Sequence, residues 1–392
     1  MSIPFKLPFV LDGGLESSLH QCGFSADSSA KEWMLNNPQE VANLLDSFTK
    51  AGADAVVFPA FLPDLAEAAV KNKHHDSPLI GGAVYPSGLL AEPYGETSFT
   101  ELIDFYKEQV YALCDIGVDF IEAQSMSTLS DMRAAVIAAR KAHLPIIVTC
   151  LVDEFGHTQS NCPVESILIT LQAMKIAAFG LSGISPDKMA DIFHDIAPLA
   201  KCPLVARPTA GEPNPILPDV YELSPSSLSA LMVPLLDMGV LIFGGSAGVT
   251  PNHISALNEL RNEYNFKREI PSHNNESSII LASETNTYYL SADLIDVSDA
   301  IKCRFDMTDV LLELNESGSD VICVSVSTAD DAYQFSLNAH MAALPIMFTS
   351  HNEIALKTAL LLYQGRAMVD INCDIDEDAI ALIAAKYGAV IY

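Results

Sequence analysis

Along the first two thirds of the chain, short apolar or β-branched runs alternate with stretches whose apolar positions recur at helical spacing, with glycine-containing turns between them. That alternation is the signature of repeated βα units around a parallel sheet. Strands are expected at 8–12 (FVLDG), 54–58 (DAVVF), 79–84 (LIGGAV), 118–122 (VDFIE), 145–151 (PIIVTCL), 176–182 (IAAFGLS), 203–207 (PLVAR) and 240–244 (VLIFG). Helices fall between them, for instance Asn36 to Ala51, Phe99 to Asp115 and Leu129 to Ala142. Eight such units in about 265 residues predict an α/β fold, a (β/α)8 TIM barrel, with its chemistry where strands end and helices begin.

Residues 265–277 (NFKREIPSHNNES) lose apolar periodicity and gather Pro, Ser, Asn and charge, the composition of a linker. Two domains are predicted, 1–268 and 277–392. In the second, SIILASE, DVICVSV, LPIMFTS, AMVDIN and AVIY read as strands, while Met307, Val310, Leu311 and Leu314 repeat at helical spacing. A unit of this length can complete an open doubly wound sheet but not an eight-stranded barrel, unless a partner covers its exposed edge strands. Self-association into a homo-oligomer is therefore expected.

Lys and Arg number 21 against 50 Asp and Glu, a formal charge of −29. Such a surface repels a phosphate backbone, so nucleic acid is excluded as a partner. The N-terminal MSIPFKLPFVLDGG lacks the basic and apolar segments of an export signal. No stretch supplies the roughly 18 apolar residues of a membrane span. The eight cysteines are scattered without paired spacing. Reduced thiols and a cytoplasmic, membrane-free location are the expectation.

Asp12, Gly13 and Gly14 follow the first strand, where glycines let backbone approach a ligand and the carboxylate can face an ammonium group; a turn or N-cap role is the alternative. Glu122 closes the fourth strand at the functional rim. After strand eight, Gly244, Gly245 and Gly248 precede a helix that Thr250 can cap, an arrangement that suits an anion or simply close backbone packing.

Taken in order, LDGG at 11–14, AGAD at 51–54, IEAQSMSTLSDMRAAVIAAR at 121–140, RPTAGEP at 207–213 and GGSAGVTPNHISAL at 244–257 resemble the homocysteine S-methyltransferase family across the whole first domain. The resemblance implies methyl transfer to a small amino acid whose sulfur is ionised by a zinc held on three cysteines. This sequence departs from that pattern at every ligand. Gly183 stands at the strand-six position, and Ser246 and Ala247 stand where the family carries adjacent cysteines. Zinc is therefore not expected, and a relocated site at Cys150 with His157 or Cys162 is the weaker alternative to core packing of those thiols.

Asp12 and Glu122 match family positions that the resemblance makes a clamp for the substrate's ammonium. Phe58, Pro59, Ala60 and Phe61 replace usually polar residues, and Thr209 replaces an Asn, so a more apolar pocket is expected. The second domain is similar to the opening half of a pterin-binding barrel, best over LPIMFTSHNEIALKTALLLYQGRAMVDIN and at SETN (283–286). Cys323, Ser325 and Thr349 replace its acidic and amide contacts, which argues against a methylfolate donor, and a corrinoid donor is likewise not assigned. Two readings stay open: a methyltransferase acting on a small amino-acid-type substrate without zinc, or a non-catalytic relative that binds such a ligand or a methyltransferase or corrinoid protein partner.

Overall fold

The computed structural model describes residues 6–25, 29–75, 77–216, 220–266 and 278–392. Eight parallel strands form the first sheet: β1 (Phe9–Val10), β2 (Ala55–Pro59), β3 (Leu79–Val84), β4 (Phe120–Met126), β5 (Ile146–Leu151), β6 (Ala178–Ser182), β7 (Leu204–Arg207) and β8 (Val240–Phe243). Their order, β1-β8-β7-β6-β5-β4-β3-β2, is that of a TIM barrel, and each strand lies where the hydrophobic pattern predicts it. The expected helices are present as Pro38–Lys50, Phe99–Ile116 and Leu129–Lys141.

The barrel interior is built in layers. Phe9, Leu11, Ala55, Val57, Ala83, Phe120, Ile147, Ala178, Val205 and Ile242 fill an apolar layer. Side chains alternate along a strand, so two residues further on the same inward face carries Glu122, Thr149 and Arg207. Among the described residues no ladder joins β1 to β2. Instead Asp54 accepts the Val10 N–H at 2.8 Å and donates its own N–H to Val10 O at 2.7 Å, while Asp12 Oδ2 accepts the Val57 N–H at 2.8 Å.

Two compact units are formed, one of residues 1–87, 103–160 and 176–271, the other of 88–102, 161–175 and 272–392. The linear division of the chain is thus crossed by two short stretches. The helix Val164–Ala173 shows why one of them leaves the barrel's unit. It is buried at nearly every position, and within the second unit Ser166 donates to Ser283 O and Tyr289 donates to Glu165. Of the expected linker, residues 267–277 lie outside the described residues.

The second unit opens with an antiparallel hairpin, β9 (Ser278–Ala282) and β10 (Thr287–Ser291), whose turn contains SETN. A parallel sheet follows in strictly sequential order: β11 (Ile301–Lys302), β12 (Ile322–Ser325), β13 (Ile346–Thr349), β14 (Met368–Val369) and β15 (Val390–Ile391). Sequential order is barrel-like winding, since a doubly wound sheet reverses it at a switch point. Ile322, Val324, Ile346, Phe348 and Val369 pack into the helical core, whereas Leu281 of the hairpin packs with Cys323, Met347 and Met368. Among the described residues no helix is long and apolar enough to cross a membrane.

Candidate functional site

Three charged side chains converge at the top of the barrel interior. Arg207, from the end of β7, directs Nη1 to Glu122 Oε2 at 2.7 Å and Nη2 to Asp12 Oδ1 at 2.6 Å. Its Nε donates to Gly245 O at 3.1 Å, and the carbonyls of Asp12 and Gly13 each lie 3.4 Å from Nη2. All three residues are buried, with Glu122 wholly enclosed. Two carboxylates thus share one cation in a dry layer. Burial raises Asp12 above its ordinary value against the pull of Arg207, and burial together with the Asp12 charge pushes Glu122 up to about 7. Burial alone depresses Arg207, but Glu122 and Asp12 more than offset it. Glu122 Oε1 is buried and has no hydrogen-bond partner among the described residues.

Asp12 and Glu122 are therefore brought together as a pair facing one cationic group, and that group is the chain's own guanidinium. The RPTAGEP segment contains the signal that would have found it: an arginine on the inward face of a barrel strand needs buried counter-charges. Gly13 and Gly14 meet a packing requirement of their own. A side chain at Gly14 would come within 2.1 Å of Ser246 O, and one at Gly13 within 2.4 Å of Val249 O. These glycines let the first turn lie flat on the turn after β8, where Gly14 donates to Val249 O at 2.9 Å.

A cleft of about 330 Å³ is lined by residues from the ends of β5, β6 and β7. Gly183 and Thr209 contribute to it, with Phe155, Ile184, Pro213 and Tyr221 as apolar walls and Asp153, Glu154, Glu212 and Lys188 as charged groups. Lys188 Nζ lies 3.2 Å from Glu212 and 3.5 Å from Glu154, spanning two loops. Aromatic surface also stands on the β2 and β3 side, where Phe61 and Tyr85 approach at 6.2 Å between ring centroids. Tyr85 is close enough to Glu122 and Asp12 that, after burial, their charges further raise its hydroxyl.

The three positions that carry cysteines in the resemblance lie beside the cleft. Gly183 donates its N–H to Ser246 Oγ at 3.3 Å, and Ala247 O accepts the Ala210 N–H at 2.9 Å. Gly183 has φ +78°, and a side chain there would meet Leu151 Cδ1 at 2.5 Å. Ser125, at a bulge in β4 with φ +52°, shares a hydrogen bond with Ser182 at 3.0 Å and takes Thr149 Oγ1 as acceptor for its N–H at 3.1 Å. Strained backbone and an irregular ladder at a strand end were not legible in the residue pattern.

Most backbone N–H groups of the glycine turn after β8 are bonded within the chain. Gly244, Gly245 and Ser246 donate to Ala206, Asp12 and Pro208 carbonyls, Gly248 donates to Ser17 Oγ at 2.8 Å, and Val249 to Ser246 O. Thr250 caps the following helix in a capping box with His253, as its sequence position suggests. Cys150 is buried against Gly180 O at 3.6 Å, with its thiol pushed up to about 12 by burial. Among the described residues no group of three or more His, Cys, Asp or Glu is arranged to hold a metal ion.

The sequence model of the homocysteine S-methyltransferase family matches residues 62–261, just over half of the chain. Methionine synthase of Mycobacterium tuberculosis is 24% identical over 313 residues, covering 70% of this chain and 25% of that protein. Methionine synthase of Mycobacterium leprae is 26% identical over 169 residues, or 41% of this chain and 14% of that protein. The chain thus spans a quarter or less of the length of these relatives. Among solved structures, the metallated form of the homocysteine methyltransferase MmuM from Escherichia coli matches 65% of this chain and 96% of its own, at 20% identity and a TM-score of 0.52. The apo form matches at 18% identity and a TM-score of 0.51, again a likeness of fold. The matched stretch includes Glu122, Gly183, Arg207 and the turn after β8, and the chain belongs to the homocysteine S-methyltransferase family.

Proposed function

We propose that this chain is a homocysteine S-methyltransferase-like protein that holds a small amino-acid-type ligand in the cleft at the ends of β5, β6 and β7 and does so without a zinc thiolate. The observation that carries the reading is the set of residues at positions 183, 246 and 247. Glycine and alanine offer no donor, and the one hydroxyl, Ser246 Oγ, already accepts the Gly183 N–H. Such a set does not fit zinc, which in closed sites takes thiolate, imidazole or carboxylate ligands. Without metal, a homocysteine thiol keeps a pKa of about 8.5 and is mostly protonated at neutral pH.

The cleft supports the ligand class. Asp153, Glu154 and Glu212 suit an ammonium, Lys188 suits a carboxylate, and Phe155, Ile184, Pro213 and Tyr221 suit an apolar side chain. Its volume is that of a small-molecule site at the catalytic face of a barrel. A second reading, methyl transfer involving the same ligand by a metal-free route, is supported by family membership.

Calorimetry of L-homocysteine and L-methionine, each with chelator and then with zinc, tests the proposal. Binding indifferent to zinc is the expected result; binding that requires zinc would overturn it. Chelator-resistant turnover with a panel of methyl donors would favour the second reading over binding alone.

A further inference from the structure

The cleft and the charged trio are linked through the ends of β6 and β7. Thr209 lines the cleft and Arg207 precedes it by two residues, while Gly183 donates its N–H to Arg207 O at 3.3 Å. In the ladder, Arg207 stands opposite Ser182. Inside the barrel, oxygens from five groups converge on one guanidinium: the carboxylates of Glu122 and Asp12 and the carbonyls of Gly245, Asp12 and Gly13.

A buried arginine needs one carboxylate for neutrality, and here it has two, one of which keeps an oxygen unmatched. Ion pairs of this kind are seldom retained for stability, because desolvation offsets their attraction. The surplus of acceptors describes a chamber suited to a cation, and the chain fills it from within.

We propose that Arg207 is a resident cation that decides which ligands the barrel accepts. Its guanidinium occupies the cation subsite between Asp12 and Glu122, so an incoming ammonium is held in the outer cleft and does not descend to the inner carboxylates. This deepens the proposed function and rests on its reading that an amino-acid-type ligand enters the mouth. Arg207 is on this view a specificity-determining residue, and removing its side chain exposes a site for primary ammonium or alkylguanidinium ions.

The test uses the full chain, the variant Arg207→Ala and the double variant Arg207→Ala with Glu122→Gln, titrated with L-methionine and with ethylguanidinium. Arg207→Ala is expected to bind L-methionine at least tenfold more tightly than the unaltered chain, and the added Glu122→Gln to abolish that gain. Millimolar ethylguanidinium is expected to raise the melting temperature of Arg207→Ala saturably and leave that of the unaltered chain unchanged. If Arg207→Ala is isolated unfolded, its refolding on addition of ethylguanidinium is the supporting result and failure to refold overturns the proposal. A folded Arg207→Ala that binds L-methionine no more tightly also overturns it, even if the cation stabilises it, because the trio then has only a structural role. The underlying reading fails separately, if Glu212→Gln and Lys188→Ala leave L-methionine affinity of the unaltered chain unchanged.

Discussion

The strand ends of the barrel and those of the second unit treat polarity in opposite ways. At the top of the barrel, Asp12, Glu122 and Arg207 are carried into a dry layer and must satisfy one another. At the corresponding ends of β12, β13 and β14, Ser325, Thr349 and Asp370 are only half-buried, and Asp370 accepts the Asn372 N–H at 2.9 Å in a local turn. Both sheets bury apolar side chains below these positions, so the shared architecture does not account for the contrast. Buried charge is costly where it is unpaired, whereas a turn-bound carboxylate in contact with water has little to lose. Electrostatic specialisation is therefore concentrated in the barrel, and substitutions should separate the two regions.

The largest separation is expected from removal of the shared cation. Arg207→Met leaves two buried carboxylates unneutralised and should cost about 3–5 kcal/mol. Asp370→Asn, in the second unit, should stay within about 0.5 kcal/mol, the range of an ordinary surface change. Urea unfolding followed by fluorescence of Trp33, the single tryptophan, reads the first, and circular dichroism reads both. Equal losses would erase the distinction.

A smaller effect distinguishes burial from pairing within the trio. Glu122 is raised from an ordinary 4.5 to about 7, so the folded chain holds a proton that the unfolded chain releases between those values. The associated stability is complete below about pH 4.5 and is lost as pH rises through about 7, a loss on the order of 3 kcal/mol. Glu122→Gln mimics the protonated form and should lack that loss, so its stability relative to the unaltered chain grows with pH across this window. Parallel stability curves would show that Arg207 keeps Glu122 ionised throughout.

The smallest expected effect concerns Gly183. Gly183→Ala places a side chain in the left-handed region and against Leu151, and should destabilise by about 1–2 kcal/mol in thermal unfolding. A neutral or stabilising result would show that the turn relaxes, and would reopen position 183 to a side-chain donor.

The eight barrel strands were legible because each is an apolar run with both faces buried, and such runs need no knowledge of partners. The second unit was less so. β10 reads TYYLS with most positions partly exposed, and β11 contains only Ile301 and Lys302, too short for any period to register. Asp12 and Glu122 were legible as candidates from their places at strand ends, yet their common partner was not, because pairing over 195 and 85 residues is a property of barrel closure rather than of local pattern. Asp54 was hidden for the same reason. Within AGAD it is one acidic residue before a strand, and only the closed barrel shows it binding both Val10 and Arg261.

The junction between β1 and β2 gives the barrel a built-in reporter. Asp12 spends one carboxylate oxygen on Arg207 and the other on the Val57 amide. Because the Val57 N–H is bonded to that carboxylate and not to a ladder carbonyl, its exchange rate follows how firmly Asp12 is held. Charge rearrangement in the interior would thus be visible in hydrogen–deuterium exchange at a single backbone position on the opposite strand, before any loss of the global fold.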